Sequence, residues 1–167
     1  MSLALLKIRL YGDPCLRKKS IPVESIGPSE RVLIESMIAT MHEAKGVGLA
    51  APHVGINQRL FVADAGDGPM VFINPKITRK AGAEVLEEGC LSIPVVTISI
   101  KRPQAIIVSY MDEQGRMKEI ACEGLLARII QHETDHLNGK LIVDYATDAE
   151  KDQIKAQLKA LKDGQKV

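Results

Sequence analysis

The sequence predicts an α+β fold, and three observations carry the prediction. Short β-rich segments cluster in the middle of the chain, with helix-periodic segments before and after them. Glycine- and proline-rich turns punctuate the β-rich part, and no segment repeats. His132-Glu133-Thr134-Asp135-His136, an H-E-x-x-H pattern, sits inside an apolar, helix-like stretch. At 167 residues one domain spanning 1–167 is expected, large enough to bury a core.

Taken in order, Leu3–Leu10 reads as a short strand, followed by the turn-rich Tyr11-Gly12-Asp13-Pro14-Cys15. Ser29 offers an N-cap for an amphipathic helix to about Ala44, with Leu33, Ile34, Met37, Ile38 and Met41 on its buried side. Gly46–Gly55 reads as a glycine-punctuated loop or irregular strand. Arg59–Asp64, Val71–Asn74, Ala83–Leu86, Val95–Ile100, Ala105–Met111 and Met117–Ala121 read as strands, with turns at Gly66–Pro69 and Asp112–Gly115. The helix pattern returns over Leu125–Leu137 and stops at Asn138-Gly139. Thr147 and Glu150 form a capping-box pattern that starts a last helix, about 148–163, whose large apolar residues are Ile154, Leu158 and Leu161.

Composition is ordinary, 46% hydrophobic and 26% charged, and the formal charge of +1 gives no reason to expect a nucleic-acid site. No apolar run has the length of a membrane span, and Lys7 and Arg9 interrupt the N-terminal segment before a signal core could form. The expected location is the cytoplasm. Three widely spaced cysteines argue against a disulfide framework, and a reducing compartment leaves a thiol free to ligate metal.

Histidines four apart project from one helix face and can grip a single metal ion, with the intervening glutamate near whatever else the ion holds. A third ligand is needed. The single-helix pattern that adds a third histidine fails, because its position falls on Ile142. Glu150, the one glutamate downstream, is too close in sequence and sits at a helix start. His42 and His53 are possible ligands in principle. Cys90 is the better candidate: Gly89 before it and Pro94 after it break regular pairing and let the backbone turn toward a site. A thiolate with two imidazoles leaves one position open, as catalytic sites require. Cys15 and Cys122 read as small buried hydrophobes.

Glu88-Gly89-Cys90-Leu91-Ser92, Gln131–His136 and Gly46-Val47-Gly48-Leu49-Ala50-Ala51 resemble the three motifs of the peptide deformylases, in the same order and spacing. Gly12-Asp13-Pro14 with Leu16-Arg17 is similar to the family's N-terminal segment, so the resemblance covers roughly residues 5–146. It implies mixed, mainly antiparallel sheets packed around a central metal-binding H-E-x-x-H helix. It also implies a metal-dependent hydrolase that removes the N-formyl group from N-formylmethionine at the start of nascent proteins. The implied cofactor is one divalent ion held by Cys90, His132 and His136, Fe(II) in cells with Zn(II) or Ni(II) as replacements. Glu133 would be the proton shuttle and the Leu91 N–H an oxyanion donor.

The family's second oxyanion donor is a glutamine that closes the first motif; this chain has His53 there. An imidazole can donate one hydrogen bond, from the correct tautomer or when protonated. His53 therefore leaves open a re-tuned deformylase, a closed site with His53 on the metal, a hydrolase of another formyl or acyl amide, or a weakly active binder of formyl-peptides. By matching positions, Val47, Gly48 and Gly89 would meet the peptide, and Val47, Leu86, Leu125 and Ile129 would line a methionine slot. Glu88 and Arg102 would brace the cysteine loop, and Arg128 would meet either the peptide or solvent. Thr97 stands about where bacterial members often carry an arginine. The implied partners are N-formylmethionyl nascent peptides, with the ribosome as a further candidate; a monomer without membrane contact is expected.

Overall fold

The computed structural model describes residues 4–164. Three helices, α1 (Pro28–Glu43), α2 (Gly124–Leu137) and α3 (Asp148–Gly164), accompany seven strands: β1 (Gly48–Ala50), β2 (Leu60–Ala63), β3 (Met70–Ala81), β4 (Glu84–Cys90), β5 (Ile93–Arg102), β6 (Ala105–Met111) and β7 (Met117–Glu123). The strands form a five-stranded sheet in the order β1-β2-β3-β6-β7 and a separate β4-β5 hairpin. Every strand pairing is antiparallel; one isolated bridge, Ile21 with Gln58, is parallel.

The first three strands are covered on both faces, and their residues alternate accordingly. Leu49, Leu60, Val62, Val71 and Ile73 face α1, where they bury Ile34, Met37 and Met41. Ala50, Phe61, Ala63 and Phe72 face the other way, onto Ala127, Ile129, Ile130 and Leu137 of α2. Phe72 stacks on Phe61 (ring centroids 4.9 Å apart) and tilts against Tyr110 (4.5 Å). A third cluster joins the inner face of β5 to Leu16, to Leu141–Val143 and to Ile154, Leu158 and Leu161 of α3. No side chain of α3 is fully buried, so α3 leans on the hairpin without entering the core.

Several expectations need correction. Residues 4–10 form no strand; Leu3 lies outside the described residues. Their N–H groups go instead to a helix side chain and to loops: Leu6 to Thr40 Oγ1 and Arg9 to the His53 carbonyl, with the adjoining Tyr11 donating to the Ser92 carbonyl. Gly27, not Ser29, precedes α1, and the Glu30 carboxylate reaches back to accept the Gly27 N–H at 2.8 Å. The segment read as loop or irregular strand splits into β1 and a 3-10 turn, Ala51–Val54. Strand β3 runs past Pro75, because a register shift between Ile73 and Lys76 absorbs the missing N–H. Val95 takes a left-handed φ of 63° and points out, which slips the phase of β5 so that Ile93 and Val96 both face inward. The capping box of Thr147 and Glu150 is present in both directions, at 3.0 and 3.1 Å.

Phe72 is completely buried between two aromatic neighbours. Phe72→Ala should therefore lower unfolding stability by about 3–5 kcal/mol in urea titrations. A loss below about 1 kcal/mol would mean that the two faces of the sheet are not packed as described.

Candidate metal centre and adjoining cleft

Helix α2 presents His132, Glu133 and His136 toward the β4-β5 hairpin. Glycine at position 89 coincides with a register shift between Glu88 and Cys90, and this bulge re-aims the cysteine. The Cys90 Sγ lies 3.3 Å from His136 Nε2 and 3.5 Å from His53 Nε2. One ligand atom from each of His53, Cys90, His132 and His136 falls within 4.8 Å of the others, an arrangement that fits one ion.

Electrostatics fit a cation there too. Burial works against charge on His132, but its bonds with Cys90 and Glu88 and the nearby Glu133 carboxylate outweigh that and raise its pKa to about 10. His136 goes the other way: burial and then its histidine neighbours hold its pKa well below the ordinary value, leaving a neutral imidazole that could ligate an ion. The His132 Nδ1 is 2.9 Å from Glu88 Oε1, which makes Nδ1 the donor and frees Nε2 for the ion.

Glu88 is the hub of this site. Its buried carboxylate accepts from Arg102 Nε and Nη2 and from Arg128 Nη1, besides His132. Burial pushes the Glu88 carboxyl up, yet the bonds with His132 and Arg102 win and hold it at about 2. Arg102 also reaches Asp135 (2.9 Å), which accepts the Tyr145 hydroxyl at 2.6 Å. Arg128 is committed inward, donating to the carbonyls of Ile100 and Glu84 as well. Sequence alone leaves its side chain at the peptide or in solvent; the structure makes it a brace. Tyr145 and Asp135 went unread, although an acid beside His136 on the helix's other face was a usable signal.

Glu133 is buried, its pKa raised to about 7 chiefly by burial. Its Oε2 has no hydrogen-bond partner and stands 3.6 Å from His53 Nδ1. Gly48 packs directly on this carboxylate: a Cβ there would fall 2.6 Å from Glu133 Oε1. His53 accepts the Ala50 N–H at Nδ1 (2.9 Å), and burial, then the charge of His132, lowers its pKa to about 3. A neutral imidazole that accepts at Nδ1 carries its proton on Nε2. His53 is thus a fixed donor aimed at the cluster, its ring 3.9 Å from that of His136.

A cleft of about 390 Å³ opens onto these groups, with Val47, Gly48, Gly89, Leu91, Leu125 and Ile129 in its walls. Leu86, expected in the slot, is not part of the wall, and Thr97 is exposed on β5. A larger recess of about 570 Å³ at the ends of β3, β6 and β7 includes none of the clustered ligand atoms. His42 pairs with Asp64 (2.9 Å), and Glu150 caps α3; neither joins the cluster. Cys15 and Cys122 are half-buried. Burial and then Asp13 push the Cys15 thiol up to about 12, so it stays protonated.

Fold and site together define an α+β protein built around a buried group of side chains able to hold a metal ion. Residues 5–152 match the family model described as polypeptide deformylase. The chain belongs to the polypeptide deformylase family. It is 52% identical over 145 residues to the peptide deformylase of Clostridium botulinum (strain Alaska E43 / Type E3), covering 87% of this chain and 99% of that one. It is 43% identical over 166 residues to peptide deformylase 2 of Xanthomonas campestris pv. campestris, covering 96% and 98%. The crystal structure of the peptide deformylase from Thermus thermophilus superposes with a TM-score of 0.91 at 43% identity, over 96% of this chain and 99% of that one.

Breaking the hub should be costly. Glu88→Gln leaves Arg102 and Arg128 facing a neutral amide in a buried place, and should destabilise the protein by about 3–5 kcal/mol at neutral pH. A carboxyl with a depressed folded-state pKa contributes stability above its unfolded value, and that contribution is lost as pH falls through the folded one. The gap between wild type and variant in denaturant titrations should therefore be full at about pH 6–7, within the range above the ordinary value of 4.5, and shrink toward about pH 2. A gap independent of pH would contradict the charge-based account.

Proposed function

We propose that the chain is a metal-dependent deformylase that removes the N-formyl group from N-formylmethionine at the start of nascent proteins. The observation that carries this reading is the convergence of Cys90, His132 and His136 beside the buried carboxylate of Glu133, whose Oε2 has no hydrogen-bond partner, at the end of a peptide-sized cleft. The donor set, one thiolate and two imidazoles, suits Fe(II), Zn(II) or Ni(II), with Fe(II) the expected ion in cells. When bound, the ion supplies the Lewis acidity that makes a water acidic near neutrality and polarises the formyl oxygen.

The remaining chemistry belongs to side chains and backbone. Glu133 accepts the proton of the attacking water and returns it to the departing amine nitrogen as the C–N bond breaks, releasing formate and a free methionine amine. A carboxyl with a pKa of about 7 is matched to both transfers. The developing oxyanion takes hydrogen bonds from the Leu91 N–H and from His53 Nε2–H. The Ala50 N–H fixes that tautomer, so His53 stands in for the family's glutamine as a donor and stays off the metal. The backbones of Val47, Gly48 and Gly89 line the cleft where an extended peptide could add as a strand. Val47, Leu125 and Ile129 give the methionine side chain an apolar wall. An acidic nascent N-terminus would meet Lys45 at the rim.

The test is hydrolysis of a formyl-methionyl peptide by iron- or nickel-loaded protein, read as release of the free amine. His53→Ala should lower kcat by roughly a hundred- to a thousand-fold, the usual cost of one oxyanion donor. His53→Gln should retain most of the activity, and Glu133→Ala should retain almost none. Chelation should silence the enzyme and iron should restore it. Wild-type silence toward the peptide in metal-loaded protein would refute the assignment. Full activity in His53→Ala would refute the donor role alone.

A further inference from the structure

Tyr145 ends the 3-10 turn Ile142–Tyr145, which packs against the inner face of β5. The turn is pinned on both sides. Ile142 and Val143 are buried, and the Asp144 carboxylate accepts the Leu141 N–H at 2.9 Å and pairs with Arg17 at 2.7 Å. Apolar packing accounts for the half-buried ring of Tyr145 but not for its hydroxyl. That hydroxyl donates to Asp135 Oδ2 at 2.6 Å and accepts from Arg102 Nη1 at 3.3 Å. Arg102 Nη1 donates to the same Asp135 oxygen at 2.9 Å, so the three side chains close a triangle of hydrogen bonds. The guanidinium carbon also stands 5.0 Å from the centroid of the tyrosine ring.

The other side of that guanidinium faces the metal centre. Arg102 Nε and Nη2 both donate to the Glu88 carboxylate. A guanidinium is planar and rigid, so holding Nη1 fixes the direction from which Nε and Nη2 reach their acceptor. Nη2 and His132 Nδ1 meet at a single oxygen, Glu88 Oε1, each at 2.9 Å. A swing of Arg102 is therefore passed to the atom that orients the His132 ring. We propose that Tyr145 is a positioning residue for the metal centre, its hydroxyl holding Arg102 and Glu88 in the orientation that leaves His132 Nε2 to the ion.

The proposal rests on the metal-binding reading of Cys90, His132 and His136. Tyr145 belongs neither to the clustered ligands nor to the walls of the cleft. Its effect therefore falls on how the ion is held and not on how a peptide binds. The route is a chain of named atoms: the phenol oxygen, Arg102 Nη1, Arg102 Nη2, Glu88 Oε1 and His132 Nδ1. Cutting the chain at the arginine should make the hydroxyl irrelevant, whereas a tyrosine that only fills space would matter equally in either case.

The test is the rate at which nickel(II)-loaded protein gives up its metal to excess chelator. Losing a group that directly orients a ligand costs roughly 10- to 100-fold in metal affinity. Tyr145 acts one partner further out, so Tyr145→Phe, which keeps the ring, should release nickel about tenfold faster than wild type. Tyr110→Phe removes a hydroxyl beside Phe72, in the main sheet, and should stay within about twofold of wild type. Arg102→Lys keeps the charge and loses the planar fork; adding Tyr145→Phe in that background should speed release by less than about twofold. The visible absorption bands of the cobalt(II)-loaded protein, which report ligand geometry, should shift in Tyr145→Phe and not in Tyr110→Phe. In formyl-peptide hydrolysis Tyr145→Phe should lower kcat and leave KM unchanged. Wild-type release with unshifted bands in Tyr145→Phe would overturn the proposal. So would equal acceleration in Tyr110→Phe, or the same acceleration with and without Arg102. Wild-type protein that binds no nickel would overturn the metal-binding reading together with the proposal.

Discussion

The structure depends on one buried carboxylate. Glu88 sits on a two-stranded hairpin that shares no strand pairing with the main sheet, and through its two oxygens it gathers Arg102, Arg128 and His132. Those three partners belong to two elements, β5 and α2, that must be held together if Cys90 is to meet the histidines. A lone buried carboxylate would be expensive; with two guanidiniums and an imidazole around it, the charge is balanced and every bond has a direction. Position and protonation are set by the same contacts. The bond that orients the His132 ring also determines which of its nitrogens is left for the ion.

The second constraint is steric. The β1 backbone runs so close to α2 that any side chain at position 48 would collide with Glu133 and Ile129. This closeness is what buries Glu133 and moves its pKa toward neutrality. The next residues, Ala51–Val54, turn tightly enough for His53 to curl back on the Ala50 N–H. A histidine in that turn has no freedom to choose its tautomer. At the position that looked most disruptive in the sequence, a single hydrogen bond from the backbone of the same turn holds the His53 ring and leaves its Nε2–H facing the cluster.

The periodic parts of the fold were legible in the sequence. Strand β6 matches its expected bounds, and α2 begins one residue early at Gly124. The clustered side chains were legible because their chemistry is rare: few patterns put two histidines and a glutamate on one helix turn, and Cys90 stood out through its flanking glycine and proline. What stayed hidden was set by contacts distant in sequence. Residues 4–10 have strand-like composition, yet the partners of this segment and of the adjoining Tyr11 are Thr40, His53 and Ser92, none of them in a neighbouring strand. In the sequence Arg128 reads as a contact to peptide or solvent, because nothing local shows that Glu88, 40 positions away, waits for it. Pro75 hid the true length of β3, since only the bulge reveals how the sheet tolerates it.

The most direct measurement on this account is X-ray absorption of the nickel- or zinc-loaded protein at the metal edge. One sulfur and two imidazole nitrogens, with the remaining coordination from light atoms, is the result that the Glu88-anchored hairpin and the fixed His53 tautomer predict. Three imidazoles, or a shell without sulfur, would contradict it, because His53 would then be a ligand or Cys90 would not be one.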